Sequence, residues 1–301
     1  MRSKEWIVTL ALCFILLCGL SAQAESLTRV SYLGPEGTYT EEATQFFFED
    51  DGTLNPRPTV DDAISDLLTG EADYAVIPQE NTVGGAVINY VDAVIGAVDT
   101  FVVGEVVLPI SQTLMGVPGA TLEGIQTVCS HIQGLAQSAQ WRSENLPEAQ
   151  TEEMGSTAAA AKYVAETGDA SIAAVAAPGA AALYGLEILA ENVQITDANK
   201  TRFYVLADAP IEGDDLKRAV FVATCEAGLI DDIIIEMHDA GLEPVALHDR
   251  PEGSKLGSYH YVIEVESEDG VTQAQIDAVS LLEGVRFAGS FNAIEKTAGG
   301  N

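Results

Sequence analysis

Basic residues are scarce in this sequence compared with acidic ones. Only 14 Lys and Arg side chains stand against 46 Asp and Glu, so the formal net charge is −32 at pH 7. Such a chain is repelled by nucleic acids and by anionic membrane surfaces, and we predict neither as a partner. The excess of carboxylates is typical of a solvated surface suited to a saline exterior, and we do not interpret it as a metal site.

Cysteine and histidine are also rare, with four residues of each type. Cys13 and Cys18 belong to the N-terminal segment, whereas Cys129 and Cys225 fall in two different predicted domains. We therefore expect two free thiols, and a disulfide between them is the alternative in an oxidising compartment. The sequence has no His or Cys pair at metal-ligand spacing, no serine with an evident base and no nucleotide-binding loop. We predict no metal and no cofactor.

The apolar run at the N-terminus is shorter than the roughly 20 residues of a membrane-spanning helix. Residues 7–20 are apolar, follow the basic Arg2 and Lys4, and precede a small-x-small site at residues 22–24. This order predicts a secretory signal peptide, residues 1–24, that is cleaved after Ala24. We expect an exported protein, periplasmic or secreted, with no membrane segment after cleavage. A retained membrane anchor is the alternative.

Short β-branched runs alternate with helical stretches between residues 29 and 206. This alternation predicts an α/β fold with largely parallel strands, in which Thr59 and Ser156 cap two of the helices. The strands at 101–110 and 202–206 are expected to cross between two lobes and to leave a cleft there. Strands are predicted at 30–33, 74–78, 101–110, 127–130, 171–174 and 202–206, and helices at 41–48, 61–68, 133–144 and 157–166.

The pattern changes after the acidic loop at residues 211–215. The remaining chain has the order strand, helix, strand, strand, helix, strand, which is the βαββαβ order of a ferredoxin-like domain. These elements are predicted at 217–224, 229–240, 242–249, 258–266, 272–282 and 285–291. We therefore divide the chain into a signal peptide (1–24), a two-lobed domain (25–210) and a C-terminal domain (211–301).

Five polar segments follow one another at places where predicted strands end and helices begin, which is where open α/β sheets bind their ligands. They are 34–41 (GPEGTYTE), 78–82 (PQENT), 130–137 (SHIQGLAQ), 155–158 (GSTA) and 199–203 (NKTRF). In order and spacing they resemble the catalytic domain of the prephenate dehydratases. Ile132 stands where the family usually has proline. The resemblance implies a two-lobed, periplasmic-binding-protein-like domain that dehydrates and decarboxylates prephenate to phenylpyruvate without a cofactor.

The resemblance also implies roles for individual residues. Thr201 would assist departure of the ring hydroxyl, and four polar residues would orient it or the substrate: Glu80, Asn81, Ser130 and Gln137. Because the chain has only 14 basic residues, we expect an arginine at a strand end beside the cleft to bind an anion, and Arg202 is the candidate for a bidentate pair with a substrate carboxylate; a plain surface charge is the alternative. Further substrate contacts are expected from Thr38, Thr82, Ser156, Thr157 and Phe203.

Other interpretations remain open for several of these features. The segment 34–38 is equally typical of a plain strand-to-helix turn, and residues 80–82 are also typical of a capping turn. His131 we interpret as structural. An exported, non-catalytic protein that binds aromatic acids is the main rival function, since fold does not fix function. Arogenate is a rival substrate, because it differs from prephenate only by an amino group in place of a keto oxygen.

The C-terminal domain resembles an ACT domain, a small-molecule regulatory module. The resemblance rests on residues 226–229 (EAGL), 248–251 (HDRP), 258–261 (SYHY) and 289–291 (GSF). The first two segments depart from the family patterns PGAL and ESRP, whose loops bind phenylalanine at a dimer interface in relatives. The resemblance implies regulatory positions at Gly228, Leu229, Arg250 and Pro251. We expect a homodimer or homotetramer, with phenylalanine at most a weak effector.

Overall fold

The computed structural model of the protein describes residues 27–49, 51–83, 85–86, 88–196, 198–213 and 215–297. The predicted signal peptide lies outside this part of the chain. Within it, no helix has the length and apolar character that crossing a membrane requires. The first-lobe elements are β1 (Thr28–Leu33), α1 (Tyr39–Phe48), β2 (Gly52–Arg57), α2 (Val60–Thr69), β3 (Tyr74–Asn81), β4 (Gly85–Ala86), α3 (Ile88–Gly96), β5 (Phe101–Pro109) and the returning strand β11 (Lys200–Ala207).

Two further groups of elements complete the described chain. The second lobe contains β6 (Thr113–Gly116), β7 (Thr127–Ser130), α4 (Ile132–Gln137), α5 (Ala139–Asn145), β8 (Gln150–Glu153), α6 (Thr157–Thr167), β9 (Ile172–Ala176), α7 (Pro178–Tyr184) and β10 (Glu187–Ala190). The C-terminal part contains β12 (Arg218–Glu226), α8 (Ile230–Asp239), β13 (Glu243–Pro251), β14 (Ser258–Glu266), α9 (Gln273–Ser280), β15 (Val285–Phe291) and β16 (Ala293–Glu295).

Each lobe is built on its own sheet, and both sheets are mixed. The first has the order β16-β5-β11-β3-β1-β2, in which β1 is parallel to β2 and β3, whereas β11 is antiparallel to β3 and β5. The second has the order β10-β6-β9-β7-β8, in which β6 is antiparallel to both neighbours. The α/β prediction is confirmed, but the expectation of largely parallel strands is wrong. The chain returns from the second lobe along β11, and it enters the first sheet against the direction of β3.

Local sequence explains where several helices begin and end. Thr59 and Ser156 are the N-caps of α2 and α6, as predicted, and their side-chain oxygens accept from backbone N–H groups of Asp62 at 3.1 Å and Ala159 at 2.9 Å. Both helices end at a glycine in the left-handed conformation, Gly70 and Gly168. Such glycines terminate helices without a steric penalty.

Some elements of the structure are not predicted by the sequence pattern, and β2 is the one that matters most for the site. This strand contains Asn55 and Pro56, both poor strand formers, and it lies at the edge of the first sheet, where a missing N–H is tolerated. The edge strands β8 and β10 and the helices α3 and α7 were also missed. Their patterns are short and weakly periodic.

The C-terminal domain has a four-stranded antiparallel sheet with the order β13-β14-β12-β15. With α8 and α9 this is the predicted ferredoxin-like arrangement. The two helices bury apolar residues such as Met237 and Val279 in a core shared with β12 and β14.

The C-terminal domain packs directly on one face of the first sheet. Tyr204 and Leu206 of β11 share a buried cluster with Val262 and Phe291 of the C-terminal domain. Gly289 shows how closely the backbones approach, because a Cβ at this residue would lie 2.2 Å from the carbonyl oxygen of Val102 in β5. The chain then adds β16 in parallel to β5. The opposite face of the first sheet carries α1 and faces the cavity.

Candidate active site

A cavity of about 840 Å³ lies between the two lobes. Its wall includes the loop between β1 and α1, the ends of β2 and β3, the start of β11 and the first residues of α4 and α6. The volume is typical of small-molecule sites, which span about 300–1,000 Å³. Of the residues predicted for the site, those that line the cavity are Thr38, Asn81, Gln137, Ser156, Thr157, Thr201 and Phe203.

Thr201 and Asn81 form a hydrogen-bonded pair at this wall. The antiparallel register of β3 and β11 sets the two residues opposite each other. Asn81 Nδ2 donates to Thr201 Oγ1 at 2.9 Å and to Asn199 Oδ1 at 2.8 Å, while Asn81 Oδ1 accepts from the backbone N–H of Val83 at 2.9 Å. Because Thr201 Oγ1 accepts a hydrogen bond from Asn81, its own hydrogen is left to donate to a molecule in the cavity.

The second lobe presents an amide group, that of Gln137. Its Oε1 accepts from Gln112 Nε2 at 2.9 Å, and both side chains are buried although both line the cavity. The backbone N–H of Gln112 in turn donates to Gln194 Oε1 at 2.9 Å. Since the oxygen of Gln137 is engaged, its Nε2 group is the part that a ligand can use. Hydrogen-bond donors therefore face the cavity from both lobes.

Two helices point their N-termini at the cavity. Thr38 caps α1 and Ser156 caps α6, and both caps line the wall together with Thr157. The N-terminal end of a helix carries unpaired N–H groups and a partial positive charge, so it attracts anions. The cap hydroxyls themselves accept from the backbone, Thr38 from Glu41 at 3.3 Å and Ser156 from Ala159 at 2.9 Å. The two hydroxyls therefore stabilise the N-terminal ends of the helices.

Charged side chains in the wall include Arg57 at the end of β2 and Lys162 on α6. Arg57 is an ion-pair partner of Asp66 at 2.5 Å. Burial of the Asp66 carboxyl is outweighed by hydrogen bonds from Arg57 and Ser31, so its pKa lies below the usual range. Lys162 is 57% exposed and lies 3.9 Å from Glu166, so its charge remains available to a ligand.

His131, Tyr39 and Phe203 also line the cavity. His131 is the N-cap of α4, where its Nδ1 accepts from the backbone N–H of Gln133 at 3.3 Å. Tyr39 donates its hydroxyl to the carbonyl of Ser111 at 2.7 Å, and burial raises its pKa far above the usual range, so it stays protonated. Phe203 is buried in the core beneath the cavity and supplies apolar wall.

Two predicted site residues lie just outside the cavity wall. Ser130 is fully buried and donates to the carbonyl of Val175 at 2.6 Å. A Cβ on Gly134 would lie 2.3 Å from Ser130 Oγ, so α4 covers this serine closely. Thr82 donates to the carbonyl of Ala198 at 3.0 Å and accepts from the backbone N–H of Lys200 at 2.9 Å. Both hydroxyls therefore stabilise the fold through hydrogen bonds to the backbone.

Arg202 and Glu80 require a larger correction, because they lie on the opposite face of the first sheet. Neighbouring residues of a strand point to opposite faces, so Thr201 and Arg202 cannot both face the cavity. The guanidinium of Arg202 instead binds Glu80 at 3.2 Å, Glu105, and Glu264 of the C-terminal domain at 2.6 Å. The predicted bidentate pair between Arg202 and a substrate carboxylate therefore does not fit this structure.

The sequence patterns gave no role to three polar wall residues, Arg57, Gln112 and Lys162. Arg57 was missed with its strand, Lys162 was taken as an ordinary position of α6, and Gln112 follows a strand without any motif of its own. Asn199 lies outside the wall but accepts a hydrogen bond from Asn81; it belongs to the segment at 199–203, which was selected without assigning this residue a role. The signal that could have found Asn199 is the same as for Asn81, an amide next to a strand end.

The chain resembles known proteins over most of its length. The chain matches the family described as prephenate dehydratase over residues 30–211. It is 34% identical to the prephenate dehydratase of Amycolatopsis methanolica over 280 residues, which cover 88% of each chain. The structure of prephenate dehydratase from Arthrobacter aurescens in complex with L-Phe has a TM-score of 0.79 and 29% identity, over 88% of this chain and 89% of that one.

A structure described as GqqA, a novel type of quorum quenching acylase, has a TM-score of 0.76 and 26% identity, over 88% of this chain and 98% of that one. The family match spans more than half of the sequence, and the relative from Amycolatopsis extends over nearly all of it. These findings confirm the predicted enzyme class, a hydro-lyase. The chain belongs to the prephenate dehydratase family.

Proposed function

We propose that this protein converts prephenate to phenylpyruvate, water and carbon dioxide. The observation that carries the proposal is the Thr201–Asn81 pair, which presents a hydroxyl hydrogen to the cavity in a chain of this family. In the reaction, the bond between the ring and its carboxylate breaks, the electron pair completes the aromatic ring, and the ring hydroxyl leaves. One proton converts the departing hydroxyl to water. The stability of the aromatic product drives the reaction.

Thr201 and Asn81 act on the leaving group. Thr201 donates a hydrogen bond to the ring oxygen, and this bond strengthens as negative charge develops there. Asn81 fixes the threonine hydroxyl by donating to Oγ1, so no reorganisation is needed during the reaction. A threonine hydroxyl is a weak acid, so Thr201 stabilises the departing hydroxide by hydrogen bonding, and the hydroxide takes up a proton from solvent to become water.

The substrate is a dianion, and the cavity supplies positive potential from both lobes. The N-terminus of α1 faces the cavity from the first lobe, and the N-terminus of α6 faces it from the second. Lys162, further along α6, adds a positive charge to the second lobe. One carboxylate at each helix end would place the ring between Thr201 and Gln137. Closure of the two lobes around the ring would exclude water from the leaving group.

The test is turnover by purified protein with prephenate and arogenate side by side. Phenylpyruvate is followed by its absorbance and carbon dioxide is measured in parallel, with buffer alone as the control for spontaneous decay. Equal amounts of both products are expected from prephenate. Faster turnover of arogenate would reassign the substrate. Binding of prephenate without turnover would contradict the proposal and favour a binding protein, and hydrolysis of acyl-amide substrates instead would favour an acylase like GqqA.

We also propose that residues 211–301 form an ACT-type regulatory domain and that the protein is a homodimer or homotetramer. The ferredoxin-like sheet order supports the assignment of the domain type. Gly228 and Leu229 form an exposed turn before α8, and Pro251 is exposed at the end of β13. Arg250 makes a bidentate pair with Asp92 of α3, at 2.6 and 3.1 Å, so it is already engaged by the two-lobed domain.

For this regulatory domain we expect phenylalanine to bind weakly or not at all, although dimers persist. The altered segments at 226–229 and 248–251 and the engagement of Arg250 support this expectation. Calorimetry with phenylalanine, combined with light scattering, measures both properties. Micromolar phenylalanine binding, about −8 kcal/mol, would contradict it. A monomer in solution would contradict the proposed assembly.

Export is the last part of the proposal. The basic start, the apolar residues 7–20 and the small-x-small site support a signal peptide that ends at Ala24. The exported protein would then begin at Glu25. Intact-mass measurement of protein from the medium or periplasm checks this, and a product that keeps Met1 in the membrane fraction would contradict it.

A further inference from the structure

A cluster of buried charges lies directly behind the Thr201–Asn81 pair, on the face of the first sheet that the C-terminal domain covers. Glu105 of β5 is fully buried, and Glu264 of β14 is 2% exposed. Both accept hydrogen bonds from Arg202 of β11 and from Arg218 of β12. Glu80 completes the cluster. We call these five residues, from both domains, the interdomain charge cluster.

Several short hydrogen bonds hold the carboxylates of the cluster in place. Glu264 accepts from Arg202 Nη2 with both of its oxygens, at 2.7 and 2.6 Å, from Arg218 Nη1 at 2.9 Å and from the Tyr204 hydroxyl at 2.8 Å. Burial raises the pKa of Glu105 above its usual range, although Arg202 opposes this shift. Charges that are removed from water in this way persist only if their partners hold them firmly.

The cluster is joined to the catalytic pair through the backbone. Arg202 follows Thr201, and Glu80 precedes Asn81 on the paired strand, so each catalytic side chain has a cluster member next to it in the chain. The β3–β11 ladder is irregular at this point, because its register shifts between Arg202 and Phe203. The extra residue lies in β3, between Pro78 and Glu80, so β3 bends there and its side chains are re-aimed, whereas β11 pairs regularly with β5 over residues 200–205. The ion pair between Arg202 and Glu80, at 3.2 Å, holds this irregular end of β3 against β11.

We propose that Glu264, a residue of the C-terminal domain, is a positioning residue for Thr201 and Asn81. It holds Arg202 against the back of the first sheet, and Arg202 in turn holds Glu80 at the irregular end of β3. This fixes the direction of the neighbouring Asn81 side chain, which positions the Thr201 hydroxyl in the cavity. The catalytic side chains are therefore positioned correctly only when the C-terminal domain packs against the first sheet. A displacement of about 1 Å at a reacting group lowers a rate by up to about 10²-fold. Weaker binding of Arg202 is therefore expected to lower kcat more than it changes KM. This inference rests on the proposed dehydratase function.

The test is Glu264→Gln in protein that contains both domains. This substitution keeps the shape of the side chain and removes its charge. We expect kcat with prephenate to fall about tenfold while KM stays within about twofold, because the dianion is bound by groups outside the cluster. The matched control is Glu266→Gln. Glu266 lies two residues further along β14, is about half exposed and lies 3.9 Å from Arg218. We expect both constants of this variant to equal those of the parent.

A double-mutant cycle separates positioning from a merely structural role. In a Thr201→Val background, Glu264→Gln should lower kcat no further, because its effect acts through the Thr201 hydroxyl. An equal loss in both backgrounds, or a folded Glu264→Gln protein with kcat within about twofold of the parent, overturns the inference. If Glu264→Gln does not fold, Tyr204→Phe replaces it. This variant removes one hydrogen bond to Glu264 and should lower kcat several-fold with KM unchanged, and an unchanged kcat overturns the inference.

The outcomes also separate this inference from the proposed function. A parent protein that turns over prephenate, combined with an unaffected Glu264→Gln variant, overturns the positioning role alone. A parent protein without turnover overturns both.

Discussion

Replacing Thr201 by valine tests the catalytic assignment with little change of shape. Valine keeps the β-branched outline of threonine and is a strong strand former, so β11 should be retained. The variant loses the hydrogen bond from Asn81 Nδ2 at 2.9 Å, although Asn81 keeps its bond to Asn199. One neutral hydrogen bond contributes about 0.5–1.5 kcal/mol net. We expect the free energy of unfolding to fall by about this amount.

The effect of Thr201→Val on catalysis should be much larger than its effect on stability. A positioned hydrogen-bond or proton donor contributes about 10²–10⁴-fold to a rate, and kcat should fall within that range. KM should change by no more than about twofold, because the helix N-termini and Gln137, which are expected to hold the substrate, are untouched. Steady-state formation of phenylpyruvate from prephenate measures both constants.

Thr201→Ser is the matched control for this experiment. Serine keeps the hydroxyl and loses only a methyl group, so most of the activity should return. Urea unfolding of all three proteins shows whether a loss of activity reflects a loss of fold. A folded Thr201→Val protein that keeps kcat within about twofold of the parent would refute the assignment, and residues 201–203 would then be no more than the beginning of a strand.

Three other predictions concern charge. Arg202→Leu should lower the free energy of unfolding, measured with urea, by about 3–5 kcal/mol, because the buried carboxylates Glu105 and Glu264 then share the single charge of Arg218. The same change at the exposed Arg29 should cost under about 1 kcal/mol. Asp66→Asn should be less stable than the parent at neutral pH, and the difference should disappear as pH falls from about 4, the unfolded pKa, through the lowered folded pKa. Raising NaCl from about 0.01 M to 1 M shortens the Debye length from about 30 to 3 Å and should raise Tm, since the net charge is −32; an unchanged Tm would contradict this.

Local features of the sequence predicted much of the fold and the family. The caps Thr59 and Ser156 depend on residues within three positions, and the strands Thr127–Ser130, Ser258–Glu266 and Val285–Phe291 have the bounds that their patterns predict. The caps and strand bounds need only neighbours along the chain, and the polar segments at strand ends need only the rule that ligands bind there. The family itself was indicated by resemblance, since five polar segments match the family's pattern in order and spacing.

Only the tertiary structure decided which side chains face the cavity. Thr201 and Arg202 are adjacent in one motif, yet the pleat of β11 sends them to opposite faces, and the docking of the C-terminal domain decides what Arg202 meets. Pairing of Arg202 with Glu264 joins residues 62 positions apart, and no local pattern encodes such a contact. The sequence by itself indicated most of the elements, their order and the family. Packing determined the direction of each side chain, because direction depends on strand register and on partners that meet only in the folded protein.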